Sequence, residues 1–116
     1  MAPGVCNLTV TAGDGYSVAI TFTDDDGVAL DVSAYTHRAQ VRRIPGATDA
    51  EDFTVDETEA ATGIVTLSLT ATQTRALRPG SNYWDLERAV GTGDPQTIMG
   101  GKFTVLYDVT RIEAEA

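Results

Sequence analysis

Side chains with catalytic chemistry are few and widely spaced in this chain. His37 is the single histidine and Cys6 the single cysteine. A Ser–His–Asp triad would have to use His37, and no serine lies in the Gly-x-Ser-x-Gly context of a nucleophile elbow. One histidine and one cysteine fall short of the four ligands typical of structural zinc. The glycine-containing turns "GDGYS" and "GTGDP" lack the spacing and following helix of a phosphate-binding loop. The sequence therefore predicts neither an enzyme activity nor a cofactor.

The run of carboxylates at Asp24, Asp25 and Asp26 offers hard oxygen ligands of the kind that calcium takes. An EF-hand loop, however, places its acids at alternating positions and adds a distal glutamate, and this run is short. Gly27 follows directly, and aspartate and glycine both tolerate positive φ in turns. A solvated hairpin turn is the favoured interpretation, and a calcium site is the alternative.

The charge balance bears on the classes of partner. The chain has 116 residues, of which 17 are acidic and 8 basic, and its formal net charge is -9. Nucleic acids and anionic membranes attract Lys and Arg, so neither is an expected partner. No stretch approaches the ~20 apolar residues of a membrane span, and "MAPGVCNLTV" lacks the pattern of a signal peptide. With Cys6 alone no intramolecular disulfide forms, and we expect synthesis in a reducing cytoplasm.

The length indicates a single domain. A chain of this size buries about two-thirds of its unfolded surface, which is enough for one core without disulfides. We expect this domain over 1–112 and a short exposed tail over 113–116.

Hydrophobic residues alternate with period two along most of the chain, a pattern typical of half-buried antiparallel strands. The predicted strands are "VCNLTVT" (5–11), "YSVAITFT" (16–23), "VALDV" (28–32), "HRAQVRRI" (37–44), "FTV" (53–55), "GIVTLSLT" (63–70), "NYWDLERAV" (82–90) and "QTIMGGKFTVLYDVT" (96–110). The last of these is one long strand or two strands broken at Gly100 and Gly101, where the double glycine indicates a bulge or bend. The segment 45–52 is predicted as a loop, and the acidic run 48–59 as a solvated loop and edge.

Only "TATQTRAL" (70–77) departs from this period. Thr70 and Gln73 have the spacing of a capping box, and Leu77 precedes the helix-ending "RPG". The sequence predicts one helix of about two turns near 71–77.

Seven to eight short strands, with turn signals every eight to twelve residues, indicate an all-β fold. An immunoglobulin-like antiparallel β-sandwich is the leading prediction. Trp84 shares a strand face with Leu86 and Val90, so we expect its ring in the core, with a ligand platform as the alternative. The predicted core comprises Val18, Ile20, Phe22, Val41, Val65, Leu67, Leu69, Leu77, Trp84, Leu86, Phe103 and Val105.

Three stretches taken in order resemble a known family: "YSVAITFTDDDGVALDVSAYTHRAQVRR", "GIVTLSLTATQTRALRPGSNYWDLER" and a last strand ending "DVTR". Together they are similar to the immunoglobulin-like domain of phage baseplate upper proteins and to small minor tail proteins of long-tailed phages. The resemblance covers about 15–111. It implies a virion structural module, present in multiple symmetric copies and without catalytic residues. Baseplate upper proteins continue into a fibre or receptor-proximal portion, whereas this chain stops at Ala116, which favours a docking, adaptor or decoration role.

The expected function is therefore a non-enzymatic docking or adaptor module at a phage tail tip or baseplate. A capsid decoration protein is the first alternative, and a carbohydrate-binding module contacting the host envelope is the second. The outward-facing arginines Arg38 and Arg42 are candidates for an interface with other virion proteins, although pairing with the chain's own carboxylates would also account for either one alone. Tyr83 and Tyr107 are the first aromatic candidates to examine for exposure.

Overall fold

The computed structural model describes residues 4–44, 50–91 and 93–107. Within these ranges the elements are β1 (Gly4–Val5), β2 (Leu8–Thr11), β3 (Tyr16–Thr21), β4 (Tyr35–Arg42), β5 (Ala50–Asp52), β6 (Thr54–Asp56), a 3-10 turn (Ala60–Thr62), β7 (Ile64–Leu69), α1 (Ala71–Ala76), β8 (Gly80–Val90) and β9 (Gln96–Leu106). The strands form two sheets around one core, so the predicted all-β sandwich with a single short α-helix is confirmed. The predicted tail, 113–116, lies outside the described residues.

The larger sheet has the order β1-β9-β8-β4-β5, and β2 also pairs with β9. Strands β1 and β2 pair with successive parts of the same side of β9, so together they occupy one position in the sheet. The nine strands of the described chain therefore fill eight strand positions, within the predicted range. Both segments run parallel to β9, which corrects the expectation of a wholly antiparallel sandwich. The predicted strand 5–11 is interrupted at Cys6 and Asn7, where the Cys6 amide donates to the Gly100 carbonyl at 2.8 Å.

The smaller sheet has the order β3-β7-β6 and is antiparallel throughout. The segment from β5 to β6 passes from the larger sheet to the smaller one, and the Phe53 amide between them donates to the Ala39 carbonyl at 3.0 Å. The prediction of a loop over 45–52 was therefore wrong for Ala50–Asp52, which pairs with β4 as an edge strand. Both β5 and β6 are edges that carry acidic residues, as predicted for this part of the chain.

The structure decides two predictions about strand continuity. The segment 28–32 returns from the turn but is not a continuous strand. It forms one isolated bridge, Thr23 with Ala29, beside a hairpin bond from Leu30 N to Phe22 O at 3.0 Å, and then leaves this pairing, since Val32 N donates to Ala60 O at 2.9 Å. Of the two alternatives for the last strand, the structure shows one long strand, because β9 continues through its double glycine. Its irregularity falls earlier, where Leu86 pairs with Met99 and Glu87 with Thr97.

The short helix α1 has the predicted start. The Thr70 hydroxyl accepts from the Gln73 amide at 3.2 Å, and the Gln73 side chain accepts from the Thr70 amide at 2.9 Å, a complete capping box. Thr74 of this helix is fully buried, and its hydroxyl accepts from the Gly13 amide and donates to the Asp14 carbonyl. The helix thus anchors the turn between β2 and β3.

Ten of the twelve predicted core side chains are buried, and Trp84 is only 3% exposed. The core also contains apolar residues that the pattern did not single out, among them Val10, Val32 and Phe53. Rings of Phe53, Phe103 and Tyr16 pack edge to face, with centroids of the two phenylalanines 5.9 Å apart. Edge-to-face packing of this kind stabilises aromatic cores beyond area burial alone.

Three apolar side chains are less buried than alternation predicted. Val18 and Phe22 are half-buried, because Val18 lies on β3, an edge strand of the smaller sheet, and Phe22 directly follows that strand. Val90 is 61% exposed, since it is the last residue of β8 and pairs with Tyr35, the first residue of β4, at the end of the sheet. Alternation fixes the direction of a side chain but not how far the opposite sheet extends.

Candidate functional site

The solvent-facing side of the larger sheet carries rows of polar side chains, here called the outer face. In the first row Arg42 of β4 pairs with Tyr83 of β8, which pairs with Lys102 of β9. In the second row Gln40 pairs with Asp85. Because directly paired residues of neighbouring strands point to the same side, these five side chains share one surface.

A third row completes the outer face, with Arg38 of β4 directly opposite Glu87 of β8. A concavity of about 840 Å³ opens over the three rows and reaches Val5 and Asn7 at the sheet edge. Gly100 lies opposite Asp85, and a Cβ there would come within 3.3 Å of the Asp85 Cβ. It would also lie 2.8 Å from the Trp84 carbonyl oxygen, so the two strands approach too closely at this point to leave room for a side chain.

Charges on the outer face are partly matched within it. Burial, followed by repulsion from Glu87, raises the pKa of the Asp85 carboxyl, and the Arg42 guanidinium opposes that rise. Arg42 Nη2 donates to Gln40 Oε1 at 2.9 Å, and Gln40 Nε2 donates to Asp52 Oδ1 at 2.6 Å. This chain of side-chain bonds supports the interpretation that Arg42 is engaged by its own domain. Cations, carboxylates, an amide and a phenol together make a surface suited to binding a polar partner.

Of the predicted interface residues, the structure brings Arg38, Arg42 and Tyr83 together on the outer face. Tyr83 is 37% exposed there. Tyr107 is 75% exposed but follows the end of β9 and does not line the concavity. Lys102 was not named from the sequence, although alternation with the inward-facing Phe103 was the signal that could have found it.

In the turn after β3, the Asp24 carboxylate binds the backbone. Asp24 Oδ1 accepts from the Asp26 amide at 2.9 Å and from the Val28 amide at 3.0 Å, and Gly27 has a φ of 81°. One carboxylate oxygen thus holds the turn, as expected for a hairpin. Asp25 is exposed. Among the described residues, no group of three or more His, Cys, Asp or Glu side chains is arranged to hold a metal ion.

His37 is buried in the core rather than presented at a surface. Its Nδ1 lies 2.5 Å from Glu57 Oε2, and its ring packs against those of Phe22 and Tyr35, with centroids 5.9 and 6.3 Å away. The His37 amide also donates to Glu57 Oε2, at 3.2 Å. The carboxylate of Glu57 therefore joins the end of β6 to β4, which is a structural role for the single histidine.

Comparisons with known proteins place the chain in no family. No family model matches it, and no curated protein matches it. One similar chain comes from a structure on T cell specificity and activation by the bacterial superantigen toxic shock syndrome toxin-1. It matches at 14% identity and a TM-score of 0.48, over 90% of this chain and 94% of that one. A Listeria monocytogenes internalin-like protein matches at 12% identity and a TM-score of 0.44, over 91% of this chain and 28% of that one.

A family 123 glycoside hydrolase from Clostridium perfringens matches at 14% identity and a TM-score of 0.43, over 97% of this chain and 25% of that one. None of the three likenesses supports a functional conclusion at this similarity. In the described part of the chain, no helix has the length and apolar character needed to cross a membrane.

Proposed function

We propose that this chain is a non-enzymatic docking or adaptor module of a bacteriophage particle, placed at the tail tip or baseplate. The observation that carries the proposal is the outer face: a polar, concave surface on the paired strands β4, β8 and β9. Surfaces held by the strands of a rigid scaffold position their contacts better than loops do. The location in a virion is supported by the ordered sequence resemblance to tail and baseplate proteins.

The chemistry of the outer face suits a protein partner with a charged, polar surface. Arg38 and Lys102 supply cations on a chain with a net charge of -9, and Glu87 and Asp85 supply acceptors beside them. Charged groups of both signs fix register and specificity at an interface more than they raise affinity. A module that must occupy one place in a symmetric particle needs that specificity.

Incorporation into particles tests the proposal. Arg38→Glu combined with Arg42→Glu reverses two charges of the outer face without changing a buried apolar residue. Arg78→Glu and Arg75→Glu together make the same change of charge on the exposed surface near α1, away from the concavity, and are the matched control.

We expect the outer-face variant to fold, by circular dichroism, and to be lost from purified particles while the control is retained. Normal incorporation of the folded outer-face variant would remove this face from the interface. Imaging of the particles by cryo-electron microscopy tests the location, because density for the module on the head rather than the tail would favour the capsid decoration alternative.

Tyr83 favours one function of a different class, a carbohydrate-binding module. Its ring is partly exposed in the concavity between Arg42 and Lys102, and aromatic rings beside polar groups suit the apolar face and hydroxyls of a sugar. Binding of host envelope glycans that is lost in Tyr83→Ala but kept in Tyr107→Ala would support this function. Failure of the wild-type chain to bind any of them would exclude it.

A further inference from the structure

Strand β3 forms one edge of the smaller sheet. Its neighbour is β7, and within the described ranges no strand pairs with its other side. The Phe22 amide, just past β3, donates to the Gly63 carbonyl at 2.7 Å on the side of β7. Because main-chain groups of alternate residues point to opposite sides of a strand, those of Ser17, Ala19 and Thr21 point away from β7. The edge thus presents three amides and three carbonyls.

The composition of this edge differs from that of other edges in the described chain. Edge β5 carries Glu51 and Asp52, and edge β6 carries Asp56, charges that discourage pairing with a further strand. The edge of β1 and β2 is divided into short segments. The stretch "YSVAITFT" (16–23) has neither a charge nor a proline over its whole length. It lacks the usual protection against an added strand.

Side chains at this edge are also incompletely covered. Val18 faces the core but is half-buried, whereas Leu67, directly opposite on β7, is fully buried. On the other side of the strand Ser17, Ala19 and Thr21 are exposed and small. A strand added beside β3 would meet no bulky side chain and would cover the open side of Val18.

Charge decides what kind of strand fits. Asp14 precedes β3, and Asp24, Asp25 and Asp26 follow it. If two copies of this chain paired antiparallel through β3 about Ala19, the turn that holds Asp14 in one copy would meet the turn that begins at Asp24 in the other, since both residues are equally distant from Ala19 in sequence. Like charges brought together in this way repel, so self-pairing is disfavoured at both ends. Basic residues at both ends of an added strand would instead be attracted.

We propose that β3 is a docking edge for an extended segment of a different protein, with an uncharged centre and basic residues at both ends. The segment adds to the smaller sheet through main-chain hydrogen bonds to Ser17, Ala19 and Thr21, the mode known as β-augmentation. This edge lies on the sheet opposite to the outer face, so the proposal does not depend on the function proposed above.

Amide hydrogen exchange with a synthetic probe tests this directly. The probe is a peptide of alternating threonine and valine with two lysines at each end, and the control peptide has glutamates in place of the lysines. In the free protein we expect rapid exchange at Ser17, Ala19 and Thr21 and slow exchange at Val18 and Ile20. Saturating lysine-flanked peptide should slow the first three amides about tenfold or more, by NMR, and high salt should weaken the effect.

A backbone variant separates edge pairing from other modes of binding. The Ala19 amide points away from β7, so Ala19→Pro removes a donor to the added strand and none to β7, and proline is tolerated at such edge positions. It should keep the fold and lose peptide binding, whereas Ala19→Ser, which keeps the amide, should bind as the wild type does. Should the proline variant fail to fold, Ala19→Lys places a repelling charge beside the basic peptide and should also abolish binding.

Several outcomes would overturn the proposal. No slowing by the lysine-flanked peptide would do so, as would equal slowing by both peptides or undiminished binding by folded Ala19→Pro. Slow exchange at Ser17, Ala19 and Thr21 in the free protein would show that the chain covers its own edge. Slowing that depends on protein concentration, without peptide, would show that a second copy is the occupant.

Discussion

The indole Nε1 of Trp84 donates a 2.8 Å hydrogen bond to the main-chain carbonyl of Cys6, a residue 78 positions away. Trp84 lies on β8, and Cys6 lies beyond β9, the next strand of the sheet. The residue of β9 directly opposite Trp84 is Gly101. With no side chain there, the indole can reach across β9 to the far segment. This one bond ties the segment between β1 and β2 to the centre of the sandwich and satisfies the buried indole N–H.

Gly101→Ala should be strongly destabilising. A Cβ at this position would lie 2.5 Å from the Cys6 carbonyl oxygen and 2.8 Å from Asn7 Oδ1, and the first of these is main chain that cannot yield without moving the segment between β1 and β2. We expect a loss of about 1–3 kcal/mol in the free energy of unfolding, measured by chemical denaturation. Gly15→Ala, where a Cβ meets nothing within 4 Å, is the control and should change stability little. Equal effects of the two substitutions would contradict this explanation.

Trp84→Ala should cost on the order of 3–5 kcal/mol, because it removes a large buried side chain and leaves a cavity next to Phe53. It also leaves the Cys6 carbonyl without its donor. Trp84→Phe keeps part of the packing and loses the hydrogen bond, so its cost should be smaller. Denaturant titrations of the two variants measure the difference, and a near-neutral Trp84→Ala would disprove the core role.

The sequence predicted strands well where alternation was long, and helix α1 where a capping box marked its start. It failed where tertiary contacts decide the outcome. Period two cannot distinguish a strand that joins its sheet parallel from one that joins it antiparallel, so the side of β9 taken by β1 and β2 was not predicted. Nor can it show that Gly101 makes room for Trp84, because that requires knowing which residue of β9 lies opposite the indole.

For the outer face, alternation placed Arg38, Arg42 and Tyr83 on exposed sides of their strands. What it could not supply was the register between β4 and β8, which sets Arg38 opposite Glu87 and Gln40 opposite Asp85. Register depends on the whole set of core contacts rather than on either strand alone. The site residues were therefore predictable one by one, but the concavity was not.

Calcium should have little effect on this protein. Asp24 Oδ1 is already occupied by the amides of Asp26 and Val28, so the turn needs no ion to hold its shape. Melting temperatures in millimolar calcium and in EDTA should agree closely. A ligand that binds only the native state stabilises it by mass action, so a clear rise of Tm with calcium would establish a site here. Asp25→Asn, which leaves the turn's hydrogen bonds in place, would then show whether Asp25 is a ligand.

Asp85→Asn should stabilise the protein at neutral pH. Burial, helped by Glu87, raises the pKa of the Asp85 carboxyl above its ordinary value, so the folded state binds this proton more tightly than the unfolded state does. Stability of the wild type therefore falls as pH rises from the ordinary aspartate pKa through the raised one. The amide of asparagine removes that penalty. Because the carboxyl is only partly buried, solvent screening limits the gain to less than about 1 kcal/mol.

The opposite sign is expected for Asp56, which gives the matched control. Asp56 Oδ1 accepts from the Thr58 amide at 2.9 Å and from its hydroxyl at 2.7 Å, and these bonds lower the pKa of the Asp56 carboxyl. Its contribution to stability is present above the ordinary aspartate pKa and is lost as pH falls through the lowered one. Asp56→Asn should thus lower Tm at pH 7, whereas Asp85→Asn should raise it, and both differences should shrink towards pH 3. Thermal melts followed by circular dichroism across this range measure both, and a Tm increase for Asp85→Asn that persists unchanged at pH 3 would show that its cause is not the ionisation of Asp85.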